Sequence, residues 1–418
     1  MRDPRPRRRD ILAGGAAIAL TTGSTAAAAA KAGPALRRGV NAWPWFSLTK
    51  EYPAPRTDYA WPPFQDARPV PRTADLRRLR AAGFDFLRVP VDPGPFLAFG
   101  EPERGRLLTA LSEAVSEALA ADLAVIVNLQ INEATHHWNS SRLVAAADAP
   151  HFDGYRRLVC DVALRLAALR SARVLLEPVN EPPQACAAPA WTGIQALLLT
   201  TARSVAADLP LVATGACGSM IPGLEALDAA PILALAPVYF TFHYYEPYLF
   251  SHQGAPWMRE PVYRALNAVP WPASAGSLAR TLAAVRERMD ADTGLPPGER
   301  RRAYPETERL LRQYFEARPD RPFLEHGFAR VQTFAARNGI PPERIVLGEF
   351  GALRTDARYR AAGPEDRARY VRDVRLTAEA CGFPWAFWNL FDGMGLMDDS
   401  TRAFDPAILA ALGLTVPD

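Results

Sequence analysis

Apolar residues fall into eight short runs along the chain, at 38–43, 84–91, 124–130, 174–180, 211–215, 238–245, 345–350 and 385–390. Most are near-continuous rather than alternating, the pattern of parallel strands covered on both faces. Between the runs the period becomes helical: Leu107, Leu111, Val115 and Leu119 recur every four residues and form one stripe. Thr73 ahead of 74–82 reads as an N-cap, and Gly83 as the stop. Eight strand–helix units in sequence predict an α/β fold, a (β/α)8 TIM barrel, whose active site forms at the C-terminal ends of the strands. An open doubly wound sheet is the alternative. It would favour a glycine-rich phosphate loop after an early strand, and neither G-x-G-x-x-G nor a Walker A motif occurs.

The interval 246–343, between strands six and seven, is long. It carries helical patterns at 277–291, 306–317 and 323–338 and the turn Leu295-Pro296-Pro297-Gly298. These predict an elaborated region at the barrel mouth plus the sixth helix, against the alternative of a peripheral insertion. No linker, low-complexity tract or repeat interrupts the chain after residue 33, so 33–418 is expected to be one domain.

Residues 1–30 have a different character. Arg7-Arg8-Arg9-Asp10 precedes an apolar run at 11–20 and an alanine-rich tract to Ala30. A basic region, a short apolar region and a small-residue end form a secretory signal, and the consecutive arginines are those of the twin-arginine type. Ten apolar residues are too few to span a bilayer, which takes about 20. The expectation is a periplasmic or secreted protein with no stable membrane insertion after cleavage.

This segment changes the charge balance. The whole chain has 48 basic and 45 acidic residues, a net +3. Removing the five arginines and two aspartates of 1–30 leaves 43 of each. A neutral mature protein offers no electrostatic case for nucleic acid or an anionic membrane as partner, and it suits a neutral substrate.

Two glutamates carry the candidate chemistry. Glu181 ends an apolar run in Val179-Asn180-Glu181-Pro182, and Glu349 ends another in Leu347-Gly348-Glu349-Phe350-Gly351. At the ends of strands four and seven they would face one another across a barrel mouth. Glycosidic cleavage uses such a pair, one carboxylic acid to protonate the leaving oxygen and one carboxylate at the anomeric carbon. Arg88, ending strand two, is placed to keep a neighbouring carboxylate ionised.

The ordered set of motifs resembles glycoside hydrolase family 5, the cellulase family of clan A. It comprises Arg38-Gly39-Val40-Asn41, Leu87-Arg88-Val89-Pro90, Asn180-Glu181-Pro182, His243-Tyr244-Tyr245, Gly348-Glu349-Phe350-Gly351 and Trp385-Ala386-Phe387-Trp388. The resemblance implies a retaining mechanism with Glu181 as acid/base and Glu349 as nucleophile. It implies that Asn180 binds the sugar 2-hydroxyl, that His243 and Tyr245 line the reacting subsite, and that Trp388 is the sugar platform. It implies a supporting role for Glu177 and no cofactor. Where family members often end strand three with histidine, this chain has Gln130, so substrate contacts there are expected to differ. The expected activity is an endo-β-1,4-glucanase. Alternatives are the same chemistry on mannan, β-1,3-glucan or a bacterial exopolysaccharide, and a non-catalytic glycan-binding barrel.

Trp43, Trp45, Trp61, Trp138 and Trp257 are candidates for outer sugar platforms or for loop packing, since aromatic faces suit the C–H faces of a pyranose. Glu133, His136, His137 and His151 share a loop without metal-ligand spacing, so no metal is expected. Gly215-Ala216-Cys217-Gly218-Ser219 is not a G-x-S-x-G elbow. Cys186 and Cys217 follow neighbouring strands, and an oxidising compartment would allow them to pair. Cys160 and Cys381 lie in helical patterns and are expected to be buried.

Overall fold

The computed structural model describes residues 33–258, 261–292 and 296–417. The signal-like segment 1–30 lies outside the described residues. Eight parallel strands close into a barrel: β1 (Arg38–Asn41), β2 (Phe86–Val91), β3 (Ala124–Leu129), β4 (Val174–Glu177), β5 (Leu211–Thr214), β6 (Val238–His243), β7 (Ile345–Phe350) and β8 (Trp385–Phe387). Each pairs with its sequence neighbours, and β1 closes against both β2 and β8. The predicted TIM barrel is therefore the architecture.

Strand alternation splits the side chains in two. Leu87, Val89, Val125, Val127, Leu176 and Leu347 join the core between strands and helices. Phe86, Ala124, Ile126, Leu175, Val212, Tyr239, Val346 and Ala386 fill the lower barrel, over Leu36. Gly39 on β1 makes room for this layer, because a Cβ there would lie 2.4 Å from the Phe86 ring. Two residues further along, the inward positions become polar: Asn41, Arg88, Asn128, Glu177, Thr214 and Thr241, all buried.

β7 breaks the alternation. Phe242 pairs with Leu347, but the next residue of β6, His243, pairs with Glu349. The register against β8 shifts over the same stretch. Gly348 is thus the extra residue of a bulge, a device that re-aims the side chains after it. It turns Glu349 inward beside His243 and leaves Phe350 in the outer core.

The outer helices include α1 (Thr73–Ala82), α2 (Glu103–Ala120), α3 (Phe152–Ala168), α4 (Pro189–Val205), α5 (Ile221–Glu225), α6 (Leu278–Ala291), α7 (Pro297–Ala317), α8 (Arg321–Arg337), α9 (Pro364–Ala380) and α10 (Pro406–Ala411). Thr73 is the first residue of α1 rather than its cap. The cap is Arg72, whose N–H donates to Asp75 at 2.9 Å. Gly83 ends the helix in the left-handed region at φ 109°. A hairpin absent from the sequence expectations, Thr49–Glu51 with Tyr59–Phe64, stands between β1 and α1.

In the long interval, α6 and α7 pack together on the outside and α8 is the sixth barrel helix. Trp271 joins this region to α9, donating to Asp373 at 3.0 Å and packing edge-on against Tyr370. Tyr248 and Met258 pack with Tyr245 and Trp388, so the first dozen residues after β6 reach the mouth. No helix among the described residues is long and apolar enough to cross a membrane.

Candidate active site

The polar layer is organised by Arg88, whose side chain is fully buried. A guanidinium has five N–H donors in a fixed fork, and all five are used. Nε and Nη2 each reach Glu177 at 2.8 Å. Nη1 reaches Asn41 Oδ1 at 2.9 Å and Glu349 Oε1 at 2.7 Å, and Nη2 reaches Asn180 Oδ1 at 2.6 Å. Burial opposes the arginine's charge, but the two carboxylates outweigh it and hold its pKa above the ordinary value. Glu177, from the level of the barrel interior, orients the arginine; Asn41 ties the same group to the bulge by donating to the Gly348 carbonyl at 2.9 Å.

Glu349 accepts from Arg88 on one oxygen and from the Tyr245 hydroxyl on the other at 2.8 Å. Burial pushes its carboxyl upward, while His243, Arg88 and the tyrosine hydrogen bond pull the other way. Its inward aim depends on Gly348: a Cβ there would lie 2.3 Å from Thr241 Oγ1.

Glu181 lies beyond the end of β4, with φ +42°. One oxygen is 2.8 Å from His243 Nδ1, and the side chain is 41% exposed to the cleft. That opening is into a cavity walled by protein, and loss of bulk water raises its pKa to about 7, with Arg88 acting against the rise and Glu177 adding to it. The two glutamates therefore differ. Glu349 has two donors that favour its anion, and Glu181 has one neighbour, an imidazole held neutral by burial with its pKa lowered to about 4. The hydrogen bonds thus favour the anion at Glu349 more than at Glu181.

The loop that carries Glu181 is fastened to the next one. Cys186 and Cys217 form a disulfide, with Cα atoms 4.6 Å apart. Cys217 N–H donates to Gln184 O at 2.8 Å and Gly218 N–H to Pro182 O at 3.0 Å. Cys160 and Cys381 are free, and both are half-buried rather than buried as expected.

A cleft of about 570 Å³ opens beside this constellation, lined by residues that include Trp43, Glu51, Asp92, Gln130, Asn132, Glu133, Asn180 and Glu181. Trp388 and Trp43 stand side by side at its edge, with ring centroids 5.7 Å apart. Gln130 lies in the wall with its carbonyl oxygen buried and unpartnered. Sequence reasoning missed Asp92, Glu51 and Asn132. Asp92, directly after the apolar run of β2, carried a signal; the other two depend on a hairpin and a loop with no local periodicity.

The remaining tryptophans separate. Trp45 is buried. Trp61 is exposed and packs edge-on against Phe99, away from the cleft. Trp138 is held within its loop by His137 and His151. Trp257 is 49% exposed and extends the aromatic group of His252 and Tyr359.

One ligand atom each from Glu181, His243 and Glu349 lie within 4.8 Å of one another. Both Glu349 oxygens are already engaged, and the Arg88 cation faces the same point, so the donor set is arranged for a proton rather than for a metal ion. The loop set of Glu133, His136, His137 and His151 does not converge: Glu133 accepts from Ser140 N–H at 3.1 Å, and His136 faces Glu51.

Comparison with known proteins agrees with this geometry. The family model described as Cellulase (glycosyl hydrolase family 5) matches residues 53–393. Endoglucanase 3 of Fibrobacter succinogenes is 21% identical over 344 residues, covering 78% of this chain and 47% of its own length. The chain thus spans about half of that curated relative. Among solved structures, cellulose synthase subunit Z of Clostridioides difficile has a TM-score of 0.64 at 20% identity, covering 90% of this chain and 99% of that one. Thermotoga maritima Cel5A in complex with cellobiose has a TM-score of 0.64 at 20% identity, covering 90% and 97%. The same enzyme with mannotriose gives 0.62 at 20% identity, covering 90% and 97%. With the family model running over most of the barrel, this chain belongs to glycosyl hydrolase family 5, the cellulase family.

Proposed function

We propose that the protein is an exported, retaining hydrolase of a β-glucan, with Glu349 as nucleophile and Glu181 as acid/base. The observation that carries this is the asymmetric carboxylate pair. Retaining enzymes keep their two carboxyl groups about 5–5.5 Å apart, and inverting enzymes leave room for a water at about 6.5–9.5 Å. Oxygens of Glu181 and Glu349 approach within 4.8 Å, which is close to the retaining spacing and leaves no room for the intervening water of an inverting enzyme. The proton preference described above supplies an acid at Glu181 and an anion at Glu349, as the first step requires.

In that step Glu349 attacks the anomeric carbon. Glu181 gives its proton to the leaving oxygen, and a glycosyl ester forms on Glu349. Glu181 then takes a proton from water, which attacks the same carbon and frees Glu349. Tyr245 and Arg88 hold the nucleophile. Asn180, itself oriented by Arg88, reaches toward the sugar 2-hydroxyl, and Trp388 lies under the reacting ring.

The complexes of the Thermotoga relative contain cellobiose and mannotriose, so β-1,4-glucan is the first substrate of choice and mannan the second. Export rests on the 1–30 pattern and is supported by the disulfide, which suits an oxidising compartment. The test is Glu349→Gln assayed on a soluble β-1,4-glucan, with covalent trapping of the unaltered enzyme by a 2-fluoro glycoside. Turnover is expected to fall by more than about a thousandfold, with the label on Glu349. A loss below tenfold, or a label elsewhere, overturns the assignment.

A further inference from the structure

The cleft beside Glu181 has two long walls. One is the first strand of the hairpin, Leu48 to Glu51, and the other is the loop after β3, Ile131 to Thr135. They are joined at the base and again at the tips. At the base, Asp92 is 2% exposed and accepts from Thr49 Oγ1 at 3.1 Å on the hairpin side, from Asn132 Nδ2 at 3.5 Å on the loop side, and from Gly94 N–H at 2.9 Å. At the tips, the Trp138 indole N–H donates to Thr57 O at 2.7 Å, and His136 Nε2 lies 2.6 Å from Arg56 O. His136 Nδ1 is 3.1 Å from Glu51 Oε1. Two walls that leave the barrel mouth and meet at their far ends enclose a dead end, whereas cleavage within a long polymer needs a groove open at both ends.

The direction follows from the floor. Trp388 underlies the reacting sugar in the proposed function, on which this inference rests. Trp43 lies beside it and lines the enclosed cleft. The apolar floor therefore runs from the reacting ring into the dead end. A cavity of about 570 Å³ is within the roughly 300–1,000 Å³ of sites that enclose a small ligand.

We infer that the dead end takes the glycone side of the reacting sugar, so that the enzyme binds the non-reducing end of its glycan and releases one short oligosaccharide per hydrolysis, with Glu51, His136 and Trp138 setting this end-selectivity. The retaining chemistry is kept, and the endo mode expected from the sequence is replaced.

Two measurements test this. β-1,4-Gluco-oligosaccharides labelled at the reducing end are cleaved, and the fragments sized at early times. The label is expected to stay on the longer fragment, with one short unlabelled product dominating at every substrate length. The viscosity of a soluble β-1,4-glucan is followed against reducing ends formed. Viscosity is expected to fall slowly for each end created, and the double variant His136→Ala, Trp138→Ala is expected to raise that fall several-fold by opening the wall. Trp138→Phe removes the indole donor but keeps a ring, and should give an intermediate ratio. Early products of many sizes, a label on the short fragment, or a viscosity collapse with the unaltered protein overturn the inference while leaving a working hydrolase. Absence of any hydrolysis on any β-glycan overturns instead the function on which it rests.

Discussion

The lower and upper halves of the barrel interior are built by the same strands, two residues apart, and do opposite work. Below, Phe86, Ile126, Leu175, Val212 and Val346 form an apolar plug whose one hydroxyl, on Tyr239, donates to Pro34 O at 2.7 Å. Above, Arg88, Glu177, Asn41 and Asn180 form a charged cluster in which every donor of the arginine is assigned. An apolar layer tolerates approximate packing and loses stability in proportion to the volume removed. A buried ion network tolerates little, because removal of one member leaves a charge without a partner. The lesson is that strength and chemistry are separated vertically, and each can be attacked alone.

The largest expected effect falls on the upper half. Arg88→Lys keeps the charge but cannot match a five-donor fork. It should cost about 3–5 kcal/mol of stability and at least about a hundredfold in turnover, read by thermal melting and by kcat on the folded fraction. A variant that keeps near-native turnover would show that the network is structural only.

Leu175→Ala breaks the comparison from below. It should cost about 2–5 kcal/mol while kcat per folded molecule stays within about twofold. A matching loss of kcat would mean that the two layers are not independent.

The pH dependence sharpens the contrast inside the upper half. In the proposed reaction Glu181 must hold a proton, and with a pKa of about 7 turnover should fall about tenfold per unit above that pH. The same proposal requires Glu349 to be ionised, which sets the acid limb. Glu181→Gln should abolish the basic limb of any residual activity.

The smallest effect is on stability. The folded-state pKa of Glu181 is raised from 4.5 to about 7. Its stabilising contribution is therefore fully present below the ordinary value and lost as pH rises through about 7. Between pH 5 and pH 8 the melting temperature of Glu181→Gln should fall less than that of the unaltered protein. An equal fall would place the titration elsewhere.

Much of this was legible in the sequence. The eight apolar runs mark the strands because parallel strands are covered on both faces. The predicted strands run past the observed ladders, to Asn180 and Tyr245 for example, because polar residues that leave the ladder to build the site still follow apolar ones. The Cys186–Cys217 pairing follows from two neighbouring strand ends. The hairpin at 49–64 was not legible: its first strand has three residues, its turn and second strand carry prolines, and its partner contacts lie in a loop about 80 residues away. Nor was the orientation of Glu349, since strict alternation from Val346 points it outward. Only the register against His243 reveals the extra residue.

That extra residue has an evolutionary consequence. An in-frame loss of the Gly348 codon would return β7 to strict alternation from Val346, with Glu349 still on the inner side and Phe350 still on the helix side. It would draw the carboxylate one residue down the barrel without turning it round. A change of that codon to any other residue would instead set a Cβ 2.3 Å from Thr241 Oγ1. Selection at this codon therefore acts on the height of Glu349 along the strand and not on the side it faces.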